Sequence, residues 1–189
     1  MPKRYAHRLA RLLAGLPWPR SLRRFRRDKK GATAVEFGLI AAPFLALLIA
    51  IIETALVFFA SHTLETAVGD ASRLIKTGQA QTQKLSQQQF KDAVCSRISG
   101  LFDCQGGVLV DVRCYSGFGG AELSPPLDEQ GNIQITAGFC PGQAGEIVVV
   151  RAMYPWPVRL SLLGFNLSNM AGGKRLLMAT STFRNEPFE

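Results

Sequence analysis

The order of hydrophobic and polar positions divides the chain into an apolar run, an amphipathic stripe and a region of alternation. From Phe37 to Ile52 sixteen residues pass without a charge; Glu53 interrupts, and Thr54 to Ala60 is again largely apolar. A helix from about Val35 to about Glu53 has the roughly 20-residue length needed to cross a bilayer. Glu36 and Glu53 then fall near its two ends, where a carboxylate costs much less than the ~2.5–3.5 kcal/mol it costs at the centre. Next, Leu64, Val68, Ala71 and Ile75 recur at i, i+4, i+7 and i+11, an apolar stripe facing a partner surface. Lys76-Thr77-Gly78 supplies a basic last turn and a glycine stop. The pattern predicts one helix from Ala32 to Thr77, about 69 Å long at ~1.5 Å per residue. Pro43 lies inside it and removes one backbone donor, which bends the rod. His62 stands among polar neighbours and reads as an exposed histidine.

Beyond Gly78 the pattern shortens. Gln79 to Gln89 holds six glutamines and reads as a solvated linker. Ser86 with Gln89 is a capping-box signature, so a second helix is expected to about Ile98, with Phe90, Val94 and Ile98 on one face. Val108 to Tyr115 alternates, placing Val108, Val110, Val112 and Cys114 on one face and Asp111 and Arg113 on the other: a half-buried strand. Ser116 to Asn132 contains four glycines with Pro125 and Pro126 and reads as a long loop. Ile133 and Ile135 suggest a short edge strand. Glu146–Tyr154 and Leu176–Arg184 are two further strands. The apolar stretch 155–165 between them has two readings, a surface patch that meets another subunit or the bilayer, or a cover for the sheet edge. The expected fold class is α+β: a long N-terminal membrane-spanning helix, a pilin-like stalk, packed on a small antiparallel-sheet head.

Charge changes this picture at the N-terminus. The chain of 189 residues carries a formal +8, but residues 1–30 hold eleven Lys and Arg and one acid, Asp28, while the remainder carries −2. The basic balance belongs to the arm, so nucleic-acid binding by the body loses its support. Within the arm Tyr5, Leu9, Leu12, Leu13 and Leu16 recur at helical spacing, as in a basic amphipathic helix on an anionic membrane; a disordered tail is the other reading. Arg20 to Lys30 precede the apolar run, and the positive-inside rule puts the N-terminus in the cytoplasm and the C-terminal body outside it. Cys95, Cys104, Cys114 and Cys140 then lie in an oxidising compartment. They allow three pairings, and Cys95–Cys104 with Cys114–Cys140 is favoured because each closes a local loop.

At the membrane edge the chain reads Lys29-Lys30-Gly31-Ala32-Thr33-Ala34-Val35-Glu36-Phe37. This resembles the cleavage site of type IV pilin-like precursors. With Ala41-Ala42-Pro43-Phe44, Ile51-Ile52-Glu53 and Leu64 to Arg73, it resembles more narrowly the TadE-like minor pilin or pseudopilin family of tight-adherence (Flp-type, type IVb-like) pilus systems. The resemblance is specific over about residues 29–80. It implies that a membrane-embedded prepilin peptidase cuts after Gly31, that Ala32 becomes the new N-terminus, and that Glu36 is the fifth residue of the mature chain. The domains are then a basic cytoplasmic leader over 1–31, the helix over 32–77 with its membrane span at about 35–53, and an extracytoplasmic α+β head over 78–189. The implied partners are the peptidase, other pilin or pseudopilin subunits, an inner-membrane assembly platform and membrane lipid. The implied assembly residues are Glu36, Pro43 and Glu53.

The sequence offers no catalytic constellation. His62 has no nucleophile beside it, no glycine-rich stretch is followed by Lys-Ser or Lys-Thr, and no CxxC pair suggests zinc. Neither a cofactor, a metal, a small-molecule substrate nor a nucleic acid is expected, and the protein reads as the substrate of an enzyme rather than as one. The competing reading is an uncleaved, single-pass, signal-anchored envelope protein with a binding or scaffolding head.

Overall fold

The computed structural model describes residues 31–98, 100–159 and 166–188. The basic arm before Gly31, with its amphipathic pattern, and positions 160–165 of the apolar stretch lie outside the described residues. The chain divides into two compact units, the first ending at Leu47 and the second running from Leu48 to the C-terminus.

Helix α1, Ala32–Lys76, passes through both units without interruption at Pro43. In the first unit its large apolar side chains, Val35, Phe37, Leu39, Ile40, Phe44, Leu45 and Leu47, are all exposed, Phe37 to 72 %. A water-soluble helix does not present such a surface on all sides. It is the one helix among the described residues that is long and apolar enough to cross a membrane. The chain therefore has the architecture of a single-pass membrane protein.

In the second unit one side of α1 is covered. Val57, Ala60, Leu64, Ala67, Val68, Ala71, Ser72 and Ile75 are buried, so the stripe read from Leu64 to Ile75 begins two turns earlier. It shares one core with Val110, Val112, Val148, Val150, Ala152, Leu177 and Ala179. These residues belong to a three-stranded antiparallel sheet of β1 (Leu109–Tyr115), β2 (Ile147–Pro157) and β3 (Lys174–Arg184), in the order β1-β2-β3. Val112 faces Val150, and Ala152 faces Ala179, across the ladders. Each fully buried Leu, Ile or Val contributes roughly 1.5–3 kcal/mol.

Helix α1 stops where expected. Thr77 N–H donates to Arg73 O and Gly78 N–H to Ile75 O, and Gly78 is left-handed at φ 78°. A Cβ at Gly78 would overlap the ring of Phe188. The expected solvated linker is corrected: Gln79–Thr82 forms a helical turn, α2, with Ala80 buried. Gln81 explains why, because its Nε2 donates to Pro141 O at 2.8 Å, and to Ile75 O and Gly142 O at 3.2 Å. Helix α3, Gln87–Cys95, carries both halves of the capping box between Ser86 and Gln89. Phe90 and Val94 are buried on it, and Ile98 follows in the turn beyond its end. A short α4, Cys104–Gly107, leads into β1, and a disulfide joins Cys95 to Cys104.

The second face of the sheet departs from the half-buried reading. Asp111 is 0 % exposed and pairs across the ladder with Arg151, itself buried. Asp111 Oδ2 accepts from Arg151 Nη2 at 2.9 Å; Oδ1 accepts from Arg113 Nε at 2.9 Å and from Gly138 N–H at 2.8 Å. The loop after β1 lies against this face, and Arg113 Nη2 also donates to Thr136 O. Opposite charges on neighbouring strands let the loop cover what would otherwise need water. The loop is fixed to the β1 edge as well. Val112 N–H donates to Gly138 O, Cys140 N–H donates to Val112 O, and a disulfide joins Cys114 to Cys140. Ile133 makes only an isolated bridge to Leu127, so the expected edge strand is absent among the described residues. β2 runs to Pro157, three residues further than the pattern suggested. Pairing with β1 ends at Met153, so Pro155 and Pro157 sit where β2 has β3 as its one strand neighbour.

Burial alone would raise the Asp111 carboxyl pKa; the Gly138 N–H and the guanidinium groups of Arg151 and Arg113 outweigh it and hold the value below the ordinary one. A depressed folded value gives stability that is present above the unfolded value near ~3.9 and is lost as pH falls through the folded one. Asp111→Asn strands Arg151 and is expected to cost about 3 kcal/mol at neutral pH. Urea unfolding of the detergent-solubilised chain should show that loss, and the variant's stability should fall less than the parent's on acidification.

Candidate functional site

The junction lies at the start of α1. The helix begins at Ala32, and Gly31 stands exposed just before it. A Cβ added at Gly31 would meet no atom within 4 Å. Packing against the described residues therefore makes no demand for glycine there, unlike at Gly78. Thr33 and Ala34 follow, and Glu36 and Phe37 are exposed on the helix. Among the described residues Glu36 forms no ion pair within the chain. Gly31, Ala32, Glu36, Phe37 and Pro43 all belong to the first unit.

Glu53 belongs to the second unit, and its place there was not legible in the sequence. Its Oε1 accepts from the backbone N–H of Arg159 at 2.7 Å. The carboxylate of α1 thus receives the chain as it leaves β2. Around this contact is an open cavity of about 440 Å³. Ile49, Ile52 and Leu56 form one wall; Leu101, Trp156 and Pro157 form another, with Arg159 at the rim. Its far side rests on an aromatic cluster, Phe102 edge-on to Tyr154 at 4.9 Å and to Trp156 at 5.9 Å between ring centroids. Gly107 is required beneath Tyr154, since a Cβ would collide with the ring. The one signal for this site in the sequence is a Trp and an Arg within an apolar connection.

Other candidates have structural employment. Asp128 accepts from the N–H groups of Gln130 and Asn132 and from the side chains of Asn132 and Gln134. Surrounded by donors, it offers nothing to a cation. Among the described residues no group of three or more His, Cys, Asp or Glu is placed to hold a metal. His62 is exposed, with Glu65 at 3.9 Å. Asn185 is buried and donates to Pro141 O and Gln143 O, closing the C-terminal end of the head.

Removing the Glu53 acceptor should free the Arg159 amide. Glu53→Ala is expected to raise amide exchange at Arg159 by roughly tenfold, the loss of about one hydrogen bond, whereas Glu53→Gln keeps an acceptor and much of the protection. Hydrogen exchange read by mass spectrometry across 154–159 measures this.

No curated protein and no solved structure matches the chain. A family model does: residues 31–73 match that of the TadE-like protein family. The match starts at the exposed glycine and ends within the part of α1 buried on the sheet. Over residues 31–73 the chain is a TadE-like domain.

Proposed function

We propose that the protein is a minor pilin or pseudopilin subunit of a tight-adherence (Flp-type) pilus assembly and secretion system, processed after Gly31 and acting in pilus biogenesis and surface adhesion. The observation that carries this reading is the TadE-like match opening on Gly31, where among the described residues an added Cβ would meet no atom. A residue with no side chain before the scissile bond lets the backbone enter the narrow site of a membrane-embedded prepilin peptidase.

The chemistry of the cut follows from the residues. The helix begins at Ala32, and Ala32, Thr33 and Ala34 leave its first turn easy to open. Cleavage removes the basic arm and Gly31, taking the formal charge from +8 to −2. Before the cut, the arm holds the N-terminus at the cytoplasmic face, and the head with its disulfides lies outside the inner membrane. After it, no cationic clamp opposes withdrawal of α1 from the bilayer. The new α-amine at Ala32 has a reference pKa of about 7.7–8.0 and is largely protonated. Glu36, one helical turn on, is placed to answer it within the chain or on a neighbouring subunit. The protein acts as a substrate and then as a subunit; it performs no catalysis. Its partners are the peptidase, other pilin-like subunits and the inner-membrane assembly platform.

Gly31→Val tests this cleanly, because a side chain there meets open space and leaves the fold intact. Intact-mass analysis of protein from the native host should find Ala32 first in the parent chain and the full leader retained in the variant, with pilus formation lost. A parent chain that keeps Arg23 to Lys30 throughout its life identifies an uncleaved anchored protein and ends this reading.

A further inference from the structure

The two outer edges of the sheet are finished differently. On β1 the backbone groups that point away from β2 are taken. Val112 N–H donates to Gly138 O, Val112 O accepts from Cys140 N–H, and Val110 O accepts from Gln87 Nε2 at 3.1 Å. The start of β3 is closed as well. Lys174 O accepts from the N–H groups of Asn169 and Met170, and Leu176 N–H donates to Asn169 Oδ1 at 2.8 Å. Lys174 and Leu176 thus turn their backbone groups away from β2, and the two-residue period of a strand turns those of Met178, Thr180 and Thr182 the same way. Among the described residues nothing bonds to these three on that side. Nor is this stretch guarded. From Leu176 to Phe183 there is no charge, proline or glycine, and the pairing with β2 runs without a bulge. A strand edge without such devices is a template for another strand.

We infer that the open edge of β3, Met178 to Thr182, is completed by an extended segment of another protein. The added strand is held through its backbone, and its side chains alternate. Threonine or β-branched residues suit the positions beside Thr180 and Thr182, which are exposed; apolar residues suit those beside Phe183, which is half-buried against the core. A second copy of this chain is a poor occupant. Its β1 edge is closed, and its β3 edge has the wrong direction. Lys174 lies opposite Pro157, two residues before the Arg159 that meets Glu53, while Glu186, two residues past β3, meets Lys76. β3 therefore runs the same way as α1. Two β3 edges joined antiparallel point their α1 helices in opposite directions, which two anchors in one membrane cannot do. The choice of occupant rests on α1 as a membrane anchor and not on processing at Gly31.

Amide exchange reads the edge directly. The full chain is deuterated in membranes of its native host and, separately, alone in phosphatidylcholine vesicles, then quenched and captured for mass spectrometry with residue-level fragmentation. In vesicles Met178, Thr180 and Thr182 should exchange fast, and Ala179 and Ser181, which face β2, slowly. In the native membranes the three should slow by about tenfold or more, the effect of roughly one hydrogen bond each. Thr180→Pro removes an edge donor without touching the ladder to β2, and should restore fast exchange at Met178 and Thr182. Thr180→Val keeps the N–H and should keep the protection. Amides already slow in vesicles reveal a strand from the chain itself or from a second copy and overturn the inference, and fast exchange in both settings overturns it too. Should Thr180→Pro unfold, Thr182→Pro asks the same question, and the comparison of the parent chain in the two settings stands without either. Protection that survives proline at these positions overturns pairing through the backbone. None of these outcomes depends on whether the leader is cut.

Discussion

Everything in the head depends on covering one stripe of α1. Val57, Ala60, Leu64, Val68, Ala71 and Ile75 cannot face water, and the valine-rich side of the sheet covers them. The rest of the head holds that sheet in place. The Cys95–Cys104 disulfide ties the α3 end to the entry of β1, and the Cys114–Cys140 disulfide fixes the long loop to the β1 edge. At the far end Glu186 N–H donates to Lys76 O, joining the end of the chain to the end of the helix. A head of this size gains much from such covalent ties, roughly 2–4 kcal/mol for a disulfide.

Below the stripe the same helix has the opposite requirement. From Val35 to Leu56, and again at Phe58 and Phe59, its large apolar side chains are exposed, which is stable in lipid and not in water. Glu53 stands where the two regimes overlap. Its hydrogen bond from Arg159 lets a carboxylate persist among Ile52, Leu56 and Phe58. The positions that the resemblance marks for processing, Gly31 to Phe37, are free of packing constraints, so substitutions there report on recognition rather than on folding.

Much of this was legible because it is periodic. The helix, its glycine stop, the capping box of Ser86 and the three strands follow from spacing and local hydrogen-bond chemistry, and the α+β class follows from them. What the pattern missed was decided by contacts distant in sequence. Asp111 looked solvent-facing because alternation says only which face a residue takes; its burial needs Arg151 and Gly138, 40 and 27 positions away. Gln79 to Thr82 looked like linker because a glutamine run is polar, yet Gln81 finds carbonyls of the 141–142 segment. At the junction the residue types were readable. The cavity by Glu53 was not, since its walls come from three separated stretches.

The sheet order also couples two distant parts of the head. Among the described residues β3 has β2 as its one strand neighbour, and just beyond β3 Asn185 donates to Pro141 O and Gln143 O while Glu186 N–H donates to Lys76 O. Peeling β3 from the sheet therefore also releases the clasp on the end of α1, so the strand and the helix terminus come loose as one cooperative unit rather than as independent edges.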